Sequence, residues 1–144
     1  MRFMMIVKAN PDSEAGVLPS GELIEAMGKF NEEMVKAGVM LEGEGLQSSA
    51  KGARVRFSGK KVTVIDGPFT ESKELIAGFW IVQVKSKEEA IEWASRCPPP
   101  HGDADAEIEI RQVFETADFA EVASPETLAR EEELREQLRA KSGG

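Results

Sequence analysis

The chain has 144 residues, 26 acidic against 18 basic side chains, a net charge of −8, and 41% hydrophobic and 31% charged residues. That is the length of one domain with one core and the composition of an ordinary globular protein. The charge excludes duplex nucleic acid as a general partner, because phosphate binding needs a basic surface.

The longest apolar run, Leu75 to Val82, is far short of the ~20 residues of a membrane helix. No basic segment leads into an apolar stretch with a small-residue cleavage site, so neither a membrane span nor a secretory signal is expected. The single cysteine, Cys97, excludes an internal disulfide framework and fits a reducing cytoplasm.

Taken in order, Met1 to Lys8 reads as a strand with apolar residues on both faces. Asn10-Pro11-Asp12 ends it, and a loop carries on to Ser20. A helix follows, with Ser20 as its cap, Glu22 in its first turn and Gly38 just past its end. Leu23, Met27, Phe30 and Met34 recur at helical spacing, and Ile24 and Val35 widen the stripe. Gly28 costs that helix about 1 kcal/mol against Ala and is read as permitting close packing on a sheet.

Val39 to Leu46 is a second strand, interrupted by Gly43 and Gly45. Ala53 to Phe57, the turn Ser58-Gly59-Lys60, and Lys61 to Ile65 alternate as a hairpin, Arg54 and Arg56 opposite Val55 and Phe57. Lys51, Arg54, Arg56, Lys60 and Lys61 are either a solvated hairpin face or an anion-binding strip. Asp66-Gly67-Pro68 is strong turn chemistry, and Ile76 to Val84 is the next strand. Ser86 and Glu89 form a capping box for a second helix with Ala90, Ile91 and Ala94 inward, ended by Pro98-Pro99-Pro100. Glu107 to Phe114 reads as a half-buried strand. Pro125 opens a last helix that carries only Leu128, Leu134 and Leu138, with Glu131 and Arg135 spaced as an ion pair. It is either a thin cover over the core or a partner contact. The expected division is a domain over 1–123 and a charged helical extension over 124–144.

Without the hairpin and the tail, the order is strand, helix, strand, strand, helix, strand. This is the split βαβ, ferredoxin-like α+β pattern with helices on one sheet face. The strands Met1–Lys8 and Ile76–Val84 are apolar on both faces, and two helices can cover only one. A second copy closing a symmetric dimer is the simplest cover, so a homodimer is expected.

Asp66-Gly67-Pro68-Phe69-Thr70-Glu71-Ser72-Lys73-Glu74 followed by Gly78-Phe79-Trp80 resembles the signature of the DGPF proteins of the YCII-related superfamily. Gly43-Glu44-Gly45-Leu46, Trp93 to Pro98 and Glu107 to Arg111 are similar to that family's second-strand end, second helix and last strand. The resemblance covers most of Met1 to Phe114, and the closing helix resembles an extension seen on some members. It implies a dimeric α/β barrel of ferredoxin-like units and no settled activity. Members encoded beside, or fused to, extracytoplasmic-function sigma factors make a non-catalytic regulatory or interaction module the alternative to a small-molecule protein. The wider superfamily implies a His–Asp acid/base pair with the histidine on the first helix. Here no histidine lies between Asn10 and Gly38, and the lone imidazole is His101.

The expected chemistry is small-molecule binding, or cofactor-independent catalysis, in a cleft near the Asp66-Gly67-Pro68-Phe69 turn. Asp66 is a candidate general base or, alternatively, an Asx-turn residue. His101, in a loop, is a candidate for proton transfer or a surface residue. Glu44 lies between glycines that expose backbone to a ligand, or at a bulged strand end. Gly67, Pro68, Phe69 and Lys73 complete the candidate ligand-binding set. No closely spaced His/Cys set and no phosphate-binding glycine motif is present, so no metal and no cofactor is expected. Cys97 is read as a small hydrophobe, and Phe79, Trp80 and Trp93 as core or dimer seam.

Overall fold

The computed structural model describes residues 1–70 and 74–143, which fall into two compact units, Met1–Gln112 and Val113–Gly144. In the first unit the strands are β1 (Arg2–Lys8), β2 (Met40–Gly45), β3 (Ala53–Ser58), β4 (Lys61–Asp66), β5 (Ile76–Gln83) and β6 (Ile108–Gln112). The helices are α1 (Pro11–Glu14), α2 (Gly21–Lys36) and α3 (Lys87–Ser95). A 3-10 turn spans Ser49–Lys51.

β2, β5, β1 and β6 form one sheet in that order, every neighbouring pair antiparallel. β3 and β4 form a separate two-stranded sheet. The chain is therefore mixed α/β with antiparallel sheets, as its order of elements predicted, and by itself it closes no barrel.

The core lies on one face of the large sheet. Phe3, Met5, Val7, Trp80 and Val82 meet Phe30 and Met34 of α2 and Ala90 of α3. Complete burial of Met5, Met34 and Val82 is worth about 1.5–3 kcal/mol each. Met4 and Ile6 of β1 and Phe79 and Ile81 of β5 take the other face by the period of two and are half-buried.

Both serine caps form, but the capping box expected at Ser86 does not close, because the Glu89 carboxylate accepts the Lys85 N–H at 2.8 Å and not that of Ser86. Ser20 Oγ accepts the Leu23 N–H at 3.1 Å, and Ser86 Oγ accepts that of Glu89 at 3.1 Å. Past α2 the Val39 N–H returns to the Met34 carbonyl at 2.9 Å, with Gly38 at φ +72°.

Five expectations need correction. The first is Ile91, which does not face inward on α3 but is 45% exposed. Ile24 and Val35 do not widen the core stripe, being 58% and 61% exposed: their positions rotate them off a face that Phe30 and Met34 already fill. Gly28 permits no close approach, since nothing lies within 4 Å of where its Cβ would stand. The segment after β1 is not all loop, because Asn10 caps a one-turn helix, α1. The last strand stops at Gln112 rather than Phe114.

The second unit holds a 3-10 turn, Thr116–Phe119, and α4, Pro125–Gly143. The Phe114 and Phe119 rings stack with centroids 4.8 Å apart. Arg135 pairs with Glu131 at 3.5 Å, as their spacing predicted. No helix among the described residues is long and apolar enough to cross a membrane.

Candidate functional site

The local chain after β1 builds one wall of a cleft. Asn10 Oδ1 accepts the Ser13 N–H at 2.8 Å while Ser13 Oγ accepts the Asn10 N–H at 3.0 Å, a capping box with Pro11 at the first helical position. This sets Glu14 toward the 3-10 turn. Its carboxylate accepts the Ser49 hydroxyl at 2.5 Å and the Ser49 N–H at 3.1 Å, and its carbonyl accepts the Ser48 hydroxyl at 2.6 Å. Hydrogen bonds to a carboxylate are among the stronger ones in proteins.

The Asp-Gly-Pro-Phe turn is fastened to the same serine. Ser49 Oγ accepts the Phe69 N–H at 3.0 Å, and the Gly67 N–H donates to the Gly52 carbonyl at 3.0 Å. A Cβ on Gly67 would stand 1.8 Å from the Ser49 carbonyl oxygen, so only glycine fits. The Gly67–Pro68 peptide bond is cis. The Arg54 guanidinium lies 3.9 Å from the centroid of the Phe69 ring. The space beside Gly67 that the sequence offered to a ligand is filled by the chain's own Ser49. Asp66 is exposed at the end of β4, opposite Ala53. Lys73 lies outside the described residues.

The cleft itself, about 1110 Å³, opens elsewhere. One wall is the segment Asn10 to Ser20 with Ser48 and Lys51; the other is the start of α2; Gly43 to Leu46 and Ala77 to Trp80 form its floor; Pro100 to Gly102 closes one end. Of the sequence-predicted residues it brings together Glu44 and His101, and it does not include Asp66, Gly67, Pro68 or Phe69. Gly43 is needed there: a Cβ would come within 2.7 Å of the Trp80 ring. Trp80 is in turn fixed by its indole N–H, which donates to Asn31 Oδ1 at 2.8 Å, and by an edge-on contact with Phe30 at 5.6 Å.

His101 Nε2 lies 2.7 Å from the Lys8 carbonyl oxygen. A carbonyl only accepts, so Nε2 carries hydrogen and donates, which leaves Nδ1 as the acceptor nitrogen of the neutral imidazole. Lys51 Nζ donates to Gln47 Oε1 at 2.5 Å. No group of three or more His, Cys, Asp or Glu suited to a metal ion occurs among the described residues.

Outside the cleft, Cys97 packs against Met27, sulfur to sulfur at 3.8 Å, in a groove of about 410 Å³ with Ile91, Ile108 and Ile110. Burial pushes its thiol up to about 11, which makes it a small hydrophobe rather than a nucleophile. On β6 the hydrogen bonds from Lys8, at 3.3 Å, and Arg111, at 3.3 Å, hold the Glu109 carboxyl below the usual carboxylate range.

Glu14, Ser49 and Asn31 were not singled out from sequence. The Asn-Pro-x-Ser capping signature at residues 10–13 was the available signal for the first.

A stretch of 60 residues is 35% identical to an uncharacterized protein of Rhizobium meliloti (strain 1021), covering 42% of this chain and 48% of that one. The match thus spans about half the length of the relative. Residues 1–117 match the model of the YCII-related domain. The chain belongs to the YCII-related family.

Proposed function

We propose that this protein binds a small molecule in the cleft between the Asn10–Ser20 segment, α2 and the β2–β5 floor, and that His101 Nδ1 and the Glu44 carboxylate serve there as proton acceptors for cofactor-independent chemistry. The observation that carries this reading is the junction of an apolar lining with two acceptors in one cavity. Val7, Leu23, Met27 and Trp80 supply the apolar surface, and Glu44 and His101 supply the acceptors. In the same reading the Asp-Gly-Pro-Phe turn positions the cleft through Ser49 and Glu14 and does not touch the ligand.

The strand order β2-β5-β1-β6, with α2 joining β1 to β2 and α3 joining β5 to β6, supports a ferredoxin-like unit. The apolar far face of Met4, Ile6, Phe79 and Ile81 supports a homodimer closing an α/β barrel. Chemical-shift mapping of a metabolite library on isotope-labelled protein tests the assignment. Hits are expected to move the resonances of Glu44, Leu23 and His101 together, and hits that move only Asp66 to Phe69 overturn it.

A further inference from the structure

We propose that the ligand of the cleft is an uncharged, predominantly apolar molecule bearing a hydroxyl, and that the segment Gly16 to Pro19 is the lip that selects it. This rests on the cleft being the ligand site, as proposed above, and adds the class of ligand.

The charges of the cleft stand at its edge. Asp12, Glu44 and Lys51 line it, and all three are exposed. The Lys51 ammonium already donates to Gln47 Oε1. Charges so exposed are screened, and they cannot offset the desolvation of an ion drawn inside. Deeper in, Val7 and Trp80 are buried, Leu23 and Met27 are half-buried, and the Trp80 indole N–H is taken by Asn31. An ion would enter without a partner, whereas an apolar body gains by leaving water. The half-buried His101 gives Nε2 to the Lys8 carbonyl and leaves Nδ1 as an acceptor. The polar end of the ligand is accordingly a donor, and a hydroxyl is an uncharged one.

The mouth supplies a second observation. Val17, Leu18 and Ile24 line the cleft, yet they are 59%, 85% and 58% exposed. Gly16, at φ +82°, turns the chain out of α1 in a conformation that favours glycine. The segment is tied at both ends, by the bonds of Glu14 to Ser48 and Ser49 and by the Ser20 cap of α2. Three large apolar side chains are thus held in water around an apolar interior. An apolar ligand that reaches from the floor to the mouth covers all three. At about 1110 Å³ the cleft is larger than the roughly 300–1,000 Å³ of ordinary ligand pockets, which leaves room for that reach.

The test is an NMR titration of the full chain with octanol, octanoate and octylammonium, which share one apolar chain and differ in the charge of the head. Octanol is expected to bind at least about tenfold tighter than either ion. It should move the Trp80 indole N–H and show nuclear Overhauser contacts to the Val17 and Leu18 methyl groups. Octyl methyl ether, which cannot donate, should bind more weakly than octanol. Val17→Ser/Leu18→Ser should weaken octanol about tenfold, whereas Phe57→Ser, at a position 76% exposed on the hairpin, should leave it unchanged. Should the double variant unfold, Leu18→Ala is read in the same way. An ion that binds in the cleft as tightly as octanol overturns the class, and an ether as tight as octanol overturns the hydroxyl. Octanol binding that survives the lip substitutions overturns the lip. Each of these leaves the cleft standing, as do probes that all miss Trp80 while library hits reach Leu23 and His101, a result that also overturns the class. Library hits that move only Asp66 to Phe69 overturn the cleft and this proposal with it.

Discussion

The Asp66–Phe69 turn and the cleft make an instructive pair. The turn is one contiguous, conspicuous run of residues, and the structure uses it for packing: Gly67 against Ser49, Phe69 N–H on Ser49 Oγ, Arg54 over the ring. The cleft draws Asn10, Asn31, Glu44, Phe79 and His101 from five separate places in the chain, and no single run of sequence contains more than one of them. A dense motif reports many constraints on one backbone segment. Such constraints come as readily from the chain's own carbonyls as from a ligand.

Substitutions that break this comparison should differ in size. Gly67→Ala places a methyl group inside the Ser49 carbonyl and should cost about 3 kcal/mol or more, at or beyond the usual range for overpacking. That is roughly 6–12 °C in thermal melting for a chain of this size. Ser49→Ala removes the bond to Glu14 and the acceptor for the Phe69 N–H. Urea unfolding should show a loss of about 1–3 kcal/mol.

Cys97 sharpens the contrast between packed and reactive groups. Its thiol, raised from 9.0 to about 11, should react with a disulfide reagent along a profile centred near that value in the folded protein. Urea-unfolded protein should show the ordinary thiol profile. Between the two values only the unfolded chain ionises, so stability should fall as pH rises through this window.

Glu109 carries the opposite sign. With its folded-state value lowered by Lys8 and then Arg111, its contribution is complete above the ordinary carboxylate range. It is lost as pH falls through the depressed value, because the unfolded chain takes up the proton first. Glu109→Gln should flatten the acid limb of stability measured by urea midpoint. Asp66→Asn, at an exposed strand end, should change stability by less than about 0.5 kcal/mol.

Much of the fold was legible because period and punctuation are local. The alternation in Ala53–Phe57 and Lys61–Ile65, the caps at Ser20 and Ser86 and the stop at Gly38 all correspond to observed geometry. The helix α1 was not legible, since four residues are too few to display a 3.6 period. The exposure of Ile24 and Val35 was hidden because spacing gives a stripe but not its width. Of the candidate site, Glu44 and His101 could be named, but their meeting depends on the packing of β2, β5 and the loop after α3. The hydrogen bonds from Ser48 and Ser49 to Glu14 link residues 34 and 35 positions apart, and no local pattern encodes them.

The most direct test of the cleft is a thermal-shift screen against a metabolite library with the wild type, Asp66→Asn and the double variant Glu44→Gln/His101→Asn in parallel. A ligand at a hundred times its dissociation constant stabilises the folded state by about 2.7 kcal/mol. The account predicts a shift that Asp66→Asn retains and the double variant loses. A shift abolished by Asp66→Asn and kept by the double variant would place the ligand at the Asp-Gly-Pro-Phe turn and contradict it.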